Sequence, residues 1–224
     1  MWNDMQLIRL ITTVKQLPYF TKQNLGLALG KEGEDLNYWI KKLTKEKLIT
    51  PLKKGFYVSS HYQDTMTGNP EQSELYWMYL ANVLRLPSYV SLEYVLSKYN
   101  IIPESVFSLT SVTLKSPRVY TSPKATFIYR NIKRELYGGY QLLVFGDTGL
   151  IIKMAYPYKA LFDFLYLKKF VSDEGTRKYV LKEGRINWGA LGKQAKADFS
   201  KLAAKSGSPK MEKIAAWLKK ERKL

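Results

Sequence analysis

The chain has 224 residues, of which 46% are hydrophobic and 14% aromatic, enough to bury a sizeable core and to exclude wholesale disorder. It contains no cysteine and one histidine, His61, which excludes disulfides, thiolate catalysis and metal sites rich in nitrogen or sulfur ligands. Lys and Arg number 36 against 19 Asp and Glu, and the resulting net charge of +17 favours a polyanionic partner such as DNA or RNA.

The positive charge is spread unevenly along the chain. Residues 1–60 carry +5, residues 61–170 carry +4 and residues 171–224 carry +8. We find neither an uninterrupted apolar stretch of about 18 residues nor an N-terminal signal peptide, so we expect a cytoplasmic protein that has no contact with membrane. The two ends of the chain are therefore the regions where a polyanion is expected to bind.

Residues 1–62 are predicted to form a winged helix-turn-helix. Apolar residues at helical spacing predict one helix over residues 3–17, a second over 21–30 and a third over 34–47, with Thr21 capping the second helix and Gly30 ending it. Two short β-like runs then flank a basic turn at residues 53–55, which predicts a hairpin. Three helices followed by a small hairpin is the element order of a winged helix, whose third helix enters the major groove while the hairpin contacts the DNA backbone.

The candidate DNA-binding side chains lie on the outward face of that third helix and at the tip of the hairpin. Lysines there would neutralise phosphates, and two polar residues near the helix start can reach base edges. Three acidic residues at the same helix start, Glu32, Glu34 and Asp35, suit the helix dipole but oppose phosphate. A helix face that is only solvated is the alternative interpretation. The candidates are Asn37, Tyr38, Lys41, Lys42, Lys45, Lys53 and Lys54.

A polar break at residues 65–70 predicts a domain boundary, and residues 71–224 are predicted to form a larger α+β domain. Helices are expected over residues 71–84 and from Ser91 onward. The β-rich runs with period two that follow predict an antiparallel sheet, and Pro157 is placed to open a further helix. These runs lie at residues 106–114, 118–121, 125–130, 140–145 and 150–154.

The C-terminal tail, residues 171–224, is predicted to be helical and basic. Its cations near helix C-termini are locally favourable, so a solvated helical bundle is one interpretation. The other is a second polyanion surface for DNA that flanks an operator, or for RNA. The candidates for that surface are Lys193, Lys196, Lys201, Lys205, Lys219, Lys220, Arg222 and Lys223.

No catalytic constellation is recognisable in the sequence. A lone histidine beside a tyrosine, as His61 is beside Tyr62, is far more often structural or exposed than catalytic. The glycines at 138–139 and 146–149 are not followed by the Lys of a phosphate loop. For a nuclease, the spacing of Asp147 and Asp163 matches no magnesium site, and we interpret Asp147 as a turn residue and Asp163 as a charge on one helix face. We therefore expect a protein that is not an enzyme and that needs no metal or cofactor.

Several sequence blocks resemble the AbiEi family of antitoxins, which is associated with abortive infection of phage. They are LPSYVSLE at 86–93, YNIIPE at 99–104, LTSVT at 109–113, FIYRNIK at 127–133 and PYKALFD at 157–163. The blocks occur in the order that the family has them and span about 80 residues, behind an N-terminal segment where the family has a winged helix.

The resemblance implies the antitoxin and transcriptional regulator of a type IV toxin–antitoxin system. Such a protein represses its own promoter through the winged helix, usually at inverted repeats, and its C-terminal domain neutralises a co-encoded nucleotidyltransferase-like toxin without requiring a stable complex. The chain departs from the family at Tyr158, where Glu is frequent, and at Asn100, where Gly is common, and the tail after residue 170 matches weakly. The alternative is a winged-helix regulator or RNA-binding protein outside a toxin–antitoxin system.

Overall fold

A computed structural model describes residues 14–145 and 148–224 of the chain, which divides into two compact units. Helices and strands are interspersed along the chain, and the predicted α+β class is confirmed at that level. Within the described residues, no helix combines the length and the apolar character that crossing a membrane requires. The first unit takes the chain up to Leu80 together with Tyr120–Thr126, and the second takes Ala81–Val119 together with Phe127–Leu224.

In the first unit, a short strand and two helices precede a β-hairpin, and the three strands form one small sheet. The described elements are β1 (Phe20–Thr21), α1 (Lys22–Leu29), α2 (Gly33–Lys45), β2 (Ile49–Lys53), β3 (Phe56–Ser59), α3 (Ser60–Thr67) and the start of α4 (Pro70–Leu84). The strands lie in the order β1-β3-β2, and both pairs are antiparallel. The helix predicted over residues 3–17 falls mostly in residues 1–13, outside the described part of the chain.

Short-range signals set the ends of α1 and the start of α2. Thr21 and Gly30 have the roles that the sequence predicted for them. The Thr21 side chain accepts a hydrogen bond from the Asn24 N–H at 3.2 Å, and Gly30 ends the helix in the left-handed conformation, with φ of 61°. Glu34 and Asp35 lie in the first turn of α2, where their charge suits the helix dipole.

An apolar cluster holds α1, α2 and the small sheet together. Burial of each large apolar side chain contributes about 1.5–3 kcal/mol relative to leaving it exposed, so this cluster fixes how α2 is rotated about its axis. The side of α2 that faces away from the cluster is thereby left to solvent. The cluster consists of Val14, Phe20, Leu25, Leu29, Leu36, Trp39, Leu43, Ile49 and Tyr57.

The division between the two units lies within α4, after Leu80. The preceding helix α3 ends at Thr67, and α4 begins at Pro70. In the N-terminal half of α4, the Tyr76 hydroxyl donates to the Pro18 carbonyl oxygen at 2.7 Å. This hydrogen bond attaches the first part of α4 to the first unit.

The rest of the chain forms a larger sheet and a set of helices. The strands are β4 (Ser88–Val90), β5 (Leu109–Thr113), β6 (Arg118–Thr121), β7 (Thr126–Asn131), β8 (Tyr140–Phe145) and β9 (Leu150–Ala155). The α-helices are α5 (Leu92–Lys98), α6 (Pro157–Leu167), α7 (Asp173–Lys178), α8 (Lys193–Lys205) and α9 (Pro209–Lys220). The predicted helical C-terminus is confirmed by α8 and α9, and Pro157 opens α6 as predicted.

The larger sheet is mixed, and the prediction that it is antiparallel was wrong. Its strand order is β6-β7-β5-β4-β9-β8. The pairs β4–β5 and β8–β9 are antiparallel, whereas β4–β9 and β5–β7 are parallel. A period-two pattern identifies a strand with one buried face but does not specify its neighbour or their relative direction. One of the inner strands of this sheet, β4, has all three residues buried and therefore shows no alternation of buried and exposed residues.

Candidate nucleic-acid interface

Helix α2 turns one row of side chains away from the apolar cluster. Its buried side carries Leu36, Trp39 and Leu43. Because an α-helix has 3.6 residues per turn, residues spaced by four and three share a side. Near the middle of the opposite side, Tyr38 is 61% exposed and packs edge-on against the Trp39 ring at 6.0 Å. This exposed row, which we call the α2 row, consists of Glu34, Tyr38, Lys41 and Lys45.

The two lysines of the α2 row carry charge that the protein leaves unpaired. Lys41 and Lys45 are exposed, and neither forms an ion pair with a residue in the described part of the chain. They lie one helical turn apart, a spacing at which both ammonium groups can contact the same stretch of phosphate backbone. Lys45 is in the last turn of α2, where the helix dipole also favours a cation.

Asn37 lies on the flank of the α2 row, and its side chain is already engaged. Lys22 Nζ donates to Asn37 Oδ1 at 2.6 Å, and Asn37 Nδ2 donates to Glu34 Oε1 at 3.4 Å. An amide that is bonded within the protein through both its acceptor and its donor has less capacity left for a base edge. Of the two residues predicted to reach bases, Tyr38 is therefore the one presented to solvent.

Two of the predicted lysines lie against aromatic rings. Lys42 Nζ is 4.9 Å from the centroid of the Trp39 ring. Lys53 Nζ is 5.3 Å from the centroid of Phe56 and 5.3 Å from that of Tyr120. A cation–π contact positions an ammonium group over a ring, and both lysines are half-buried.

Lys54 lies at the tip of the β2–β3 hairpin. Lys53 pairs with Phe56 across the hairpin, which leaves a two-residue connection of Lys54 and Gly55. Gly55 has φ of 77°, a backbone conformation that residues with a Cβ rarely adopt. The turn holds Lys54 exposed to solvent.

The acidic residues at the start of α2 confine the available positive charge to its second half. Asp35 forms an ion pair with Lys31, with Nζ to Oδ2 at 3.1 Å. Glu34 is the acceptor of the amide hydrogen bond described above. The positive charge of α2 that is left without an acidic partner among the described residues therefore lies in its second half, at Lys41 and Lys45.

The eight candidate cations of the tail lie on or just after two helices. None of the eight forms an ion pair with any residue that the structure describes, whereas nearby acids do pair with other cations, as Asp173 does with Lys213. Lys201 and Lys205 share one side of α8 and line a surface cavity of about 340 Å³ together with Gly138 and Gly139. The remaining candidates are Lys193 and Lys196 on α8, Lys219 and Lys220 at the end of α9, and Arg222 and Lys223 after it.

A buried polar cluster in the second unit was missed by sequence reasoning. Asp163 of α6 is fully buried and forms an ion pair with Lys159, whose side chain is 2% exposed. The Tyr89 hydroxyl and Ser91 Oγ donate to Asp163 Oδ2 at 3.0 and 2.8 Å. Lys159 Nζ also donates to the Tyr89 hydroxyl at 2.9 Å. The interpretation of Asp163 as a charge on an exposed helix face was therefore wrong.

Burial governs the electrostatics of this buried cluster. It raises the pKa of Asp163 and lowers the pKa of Lys159, and the attraction between the two charges opposes both shifts. Burial also raises the pKa of Tyr89, with the Asp163 charge as the second cause. One cation and one anion with shared hydrogen bonds have the features of a structural ion pair. Lys159 and Asp163 are four residues apart and so share one side of α6, and the structure buries every residue from Lys159 to Leu165, that side included.

Comparison with known proteins finds a structural neighbour of this chain but does not assign it to a family. No family model matches the chain, and no curated protein matches it. Among solved structures, the chain is similar to the crystal structure of RV2827C protein from Mycobacterium tuberculosis, with a TM-score of 0.40 and 13% identity over 95% of this chain and 81% of that chain. A similarity of this degree does not bear on function. Among the residues that the structure describes, no three His, Asp or Glu side chains are grouped so as to hold a metal ion.

Proposed function

We propose that the chain is a DNA-binding repressor that also acts as an antitoxin. The first unit is proposed to be a winged helix-turn-helix, with α2 in the major groove and the β2–β3 hairpin against the neighbouring backbone. The observation that carries this proposal is the α2 row, in which an exposed tyrosine and two unpaired lysines occupy the side of the helix opposite the core.

The order of elements around α2 supports this assignment. α1 leads through a short turn to α2, and α2 leads directly to an antiparallel hairpin whose tip carries Lys54. In such an arrangement the side chains near the middle of the helix read base edges and the flanking cations contact phosphates. We assign base contact to Tyr38 and phosphate contact to Lys41, Lys45 and Lys54.

The antitoxin part of the proposal rests on the sequence blocks that resemble AbiEi. Two of these blocks, at 86–93 and 157–163, meet in the buried cluster, where Tyr89 and Ser91 contact Asp163. Both blocks therefore contribute side chains to the same packed core of the second unit. We propose that the second unit neutralises a co-encoded nucleotidyltransferase-like toxin.

The DNA-binding proposal is tested by the salt dependence of binding to the DNA upstream of the chain's own gene. The double variant Lys41→Ala/Lys45→Ala is expected to bind more weakly, and the slope of log K against log salt is expected to fall by about 1.8, since each phosphate contact contributes about 0.9. Lys201→Ala/Lys205→Ala is the matched control, because it removes two lysines one turn apart on α8. An unchanged slope in Lys41→Ala/Lys45→Ala would show that the α2 row is not the DNA-binding face, and a fall in Lys201→Ala/Lys205→Ala as well would show that the tail also contacts the DNA.

The antitoxin proposal is tested by co-expression with the product of the neighbouring gene. Full-length chain is expected to restore growth, and the Lys41→Ala/Lys45→Ala variant is expected to restore it equally while losing repression. Failure of the folded full-length chain to protect would remove the antitoxin assignment and leave the DNA-binding assignment intact.

RNA binding is the second candidate function. The eight unpaired cations of the tail favour it, because a basic helical surface binds phosphate irrespective of base sequence. A stronger affinity for structured RNA than for the upstream duplex, lost in Lys201→Ala/Lys205→Ala, would favour this alternative over the repressor.

A further inference from the structure

Strand β8 combines an open edge with an exposed apolar side. It is the last strand of the larger sheet, so one of its edges pairs with no strand in the described part of the chain. Leu142 and Val144, which alternate along β8 and so share a face, are 60% and 63% exposed. Val144 pairs with Ile151 of β9, which is 53% exposed. We call these three side chains the β8 patch.

This edge lacks the features by which edge strands avoid pairing with other chains. Residues 140–145 contain no charged residue and no proline, and their register against β9 runs without a shift. Natural sheets protect their edges with charges, prolines or bulges. The strand at the other end of the same sheet, β6, begins at the exposed Arg118 directly after Pro117. One end of the sheet is therefore protected against strand pairing, and the other is not.

Charge indicates which partner fits the β8 patch. A chain with a net charge of +17 attracts acidic partners to its lysines, and the three side chains of the β8 patch carry no charge. The one charged residue on β8 and β9 is Lys153, which pairs with Leu142 and so lies on the same face, one strand in from the open edge, with its Nζ 5.4 Å from the centroid of the Tyr140 ring. An uncharged edge is matched best by another uncharged edge, and a second copy of the chain supplies one while each Lys153 stays on β9, outside the paired strands.

We propose that two copies of this chain associate by antiparallel pairing of their β8 strands. A strand that pairs with itself across a two-fold axis makes the same contacts twice. With the axis near Leu143, Leu142 of each copy lies opposite Val144 of the other, so the exposed faces of both copies meet. An edge of six residues buries less than the roughly 800 Å² per partner of a standard interface, so the dimer is expected to form at micromolar concentrations.

Sedimentation of the full chain without DNA tests the proposal independently of its proposed function. Wild type is expected to shift from monomer to dimer with concentration, and Val144→Lys is expected to weaken the association by about tenfold or more, because it places a charge on the edge. Val119→Lys is the matched control, since it charges a 56% exposed valine on β6 and should leave the dimer intact. A monomeric wild type, or a dimer that both variants leave unchanged, would overturn the proposal.

Cross-linking gives a second readout, because the chain has no cysteine of its own. Leu143→Cys, which the two-fold axis places opposite the same residue of the other copy, is expected to form a disulfide-linked dimer under mild oxidation, whereas Val119→Cys is expected to stay monomeric on a non-reducing gel. Equal cross-linking of the two variants would indicate random collision rather than pairing through β8 and would count against the proposal.

Discussion

Replacement of Asp163 by Asn tests whether the buried cluster stabilises the second unit as an ion pair. The Asp163 carboxylate accepts hydrogen bonds from Lys159, Tyr89 and Ser91. Asn has nearly the same size and still accepts a hydrogen bond through its one carbonyl oxygen. The substitution therefore removes the charge that compensates Lys159 without opening a cavity.

Two independent arguments give similar values for the free energy of unfolding that Asp163→Asn is expected to lose. Removal of one partner of a buried ion pair costs about 3–5 kcal/mol, because the other charge is left buried and unpaired. If Lys159 instead loses its proton, neutralising a lysine of ordinary pKa 10.5 at pH 7 costs about 4.8 kcal/mol, at about 1.36 kcal/mol per pH unit. We therefore expect Asp163→Asn to lower the free energy of unfolding of the second unit by about 3–5 kcal/mol.

The pH dependence separates this charge effect from a change in packing. In the Asn variant, burial lowers the pKa of Lys159 in the folded state below its value in the unfolded state, so the unfolded state binds the additional proton. The stability contributed by such a group is present above the unfolded pKa and is lost as the pH falls. The difference in free energy of unfolding between wild type and Asp163→Asn should therefore decrease between pH 7 and pH 9.5, by up to about 1.4 kcal/mol per pH unit.

Urea denaturation at the two pH values measures both quantities. The matched control is Lys159→Met/Asp163→Asn, which removes the buried cation together with its partner and should recover more than half of the loss. A loss below about 1 kcal/mol in Asp163→Asn, the size of an ordinary neutral hydrogen bond, would refute the ion-pair argument. A deficit that is the same at both pH values would refute it as well.

Two further predictions concern the first unit. Tyr38→Ala is expected to reduce the preference for the upstream DNA over random duplex by about tenfold, the lower range for a lost base contact, as measured by fluorescence anisotropy. An equal loss of affinity for both duplexes would show that Tyr38 does not read bases. Gly55→Ala is expected to destabilise the unit by about 1–2 kcal/mol, because φ of 77° suits glycine, and Gly55→Asn should cost less, since Asn tolerates this conformation. Equal thermal midpoints for Gly55→Ala and wild type would contradict this reasoning.

The features that sequence reasoning located correctly are those set by neighbours in the chain. Thr21 caps α1, Gly30 ends it, and Gly55 forms the hairpin turn, and each effect depends on residues within about four positions. The runs predicted as strands at 118–121 and 140–145 coincide with β6 and β8 for the same reason. Strand pairing in the larger sheet depends instead on residues far apart in sequence, and so its parallel pairs could not be derived from period-two patterns.

In the candidate interface, too, contacts between residues far apart in sequence could not be predicted from local patterns. The helical repeat placed Lys41 and Lys45 on the outward side of α2, because that side follows from the apolar spacing alone. It could not show that Lys22 holds Asn37, or that Lys53 lies between two rings, since these partners come from other elements of the unit. The sequence therefore identifies the binding face, and the fold determines which side chains on that face are available.

The buried cluster is a case in which a contact between distant residues can be predicted from the sequence. Asp163 was interpreted as a charge on one helix face, yet α6 buries every residue from Lys159 to Leu165 and leaves that face no access to solvent. In such a helix, a Lys and an Asp four residues apart predict a buried ion pair, because neither charge tolerates burial alone. The same argument predicts additional hydrogen-bond donors from another segment, which here are Tyr89 and Ser91, more than 70 residues earlier in the chain.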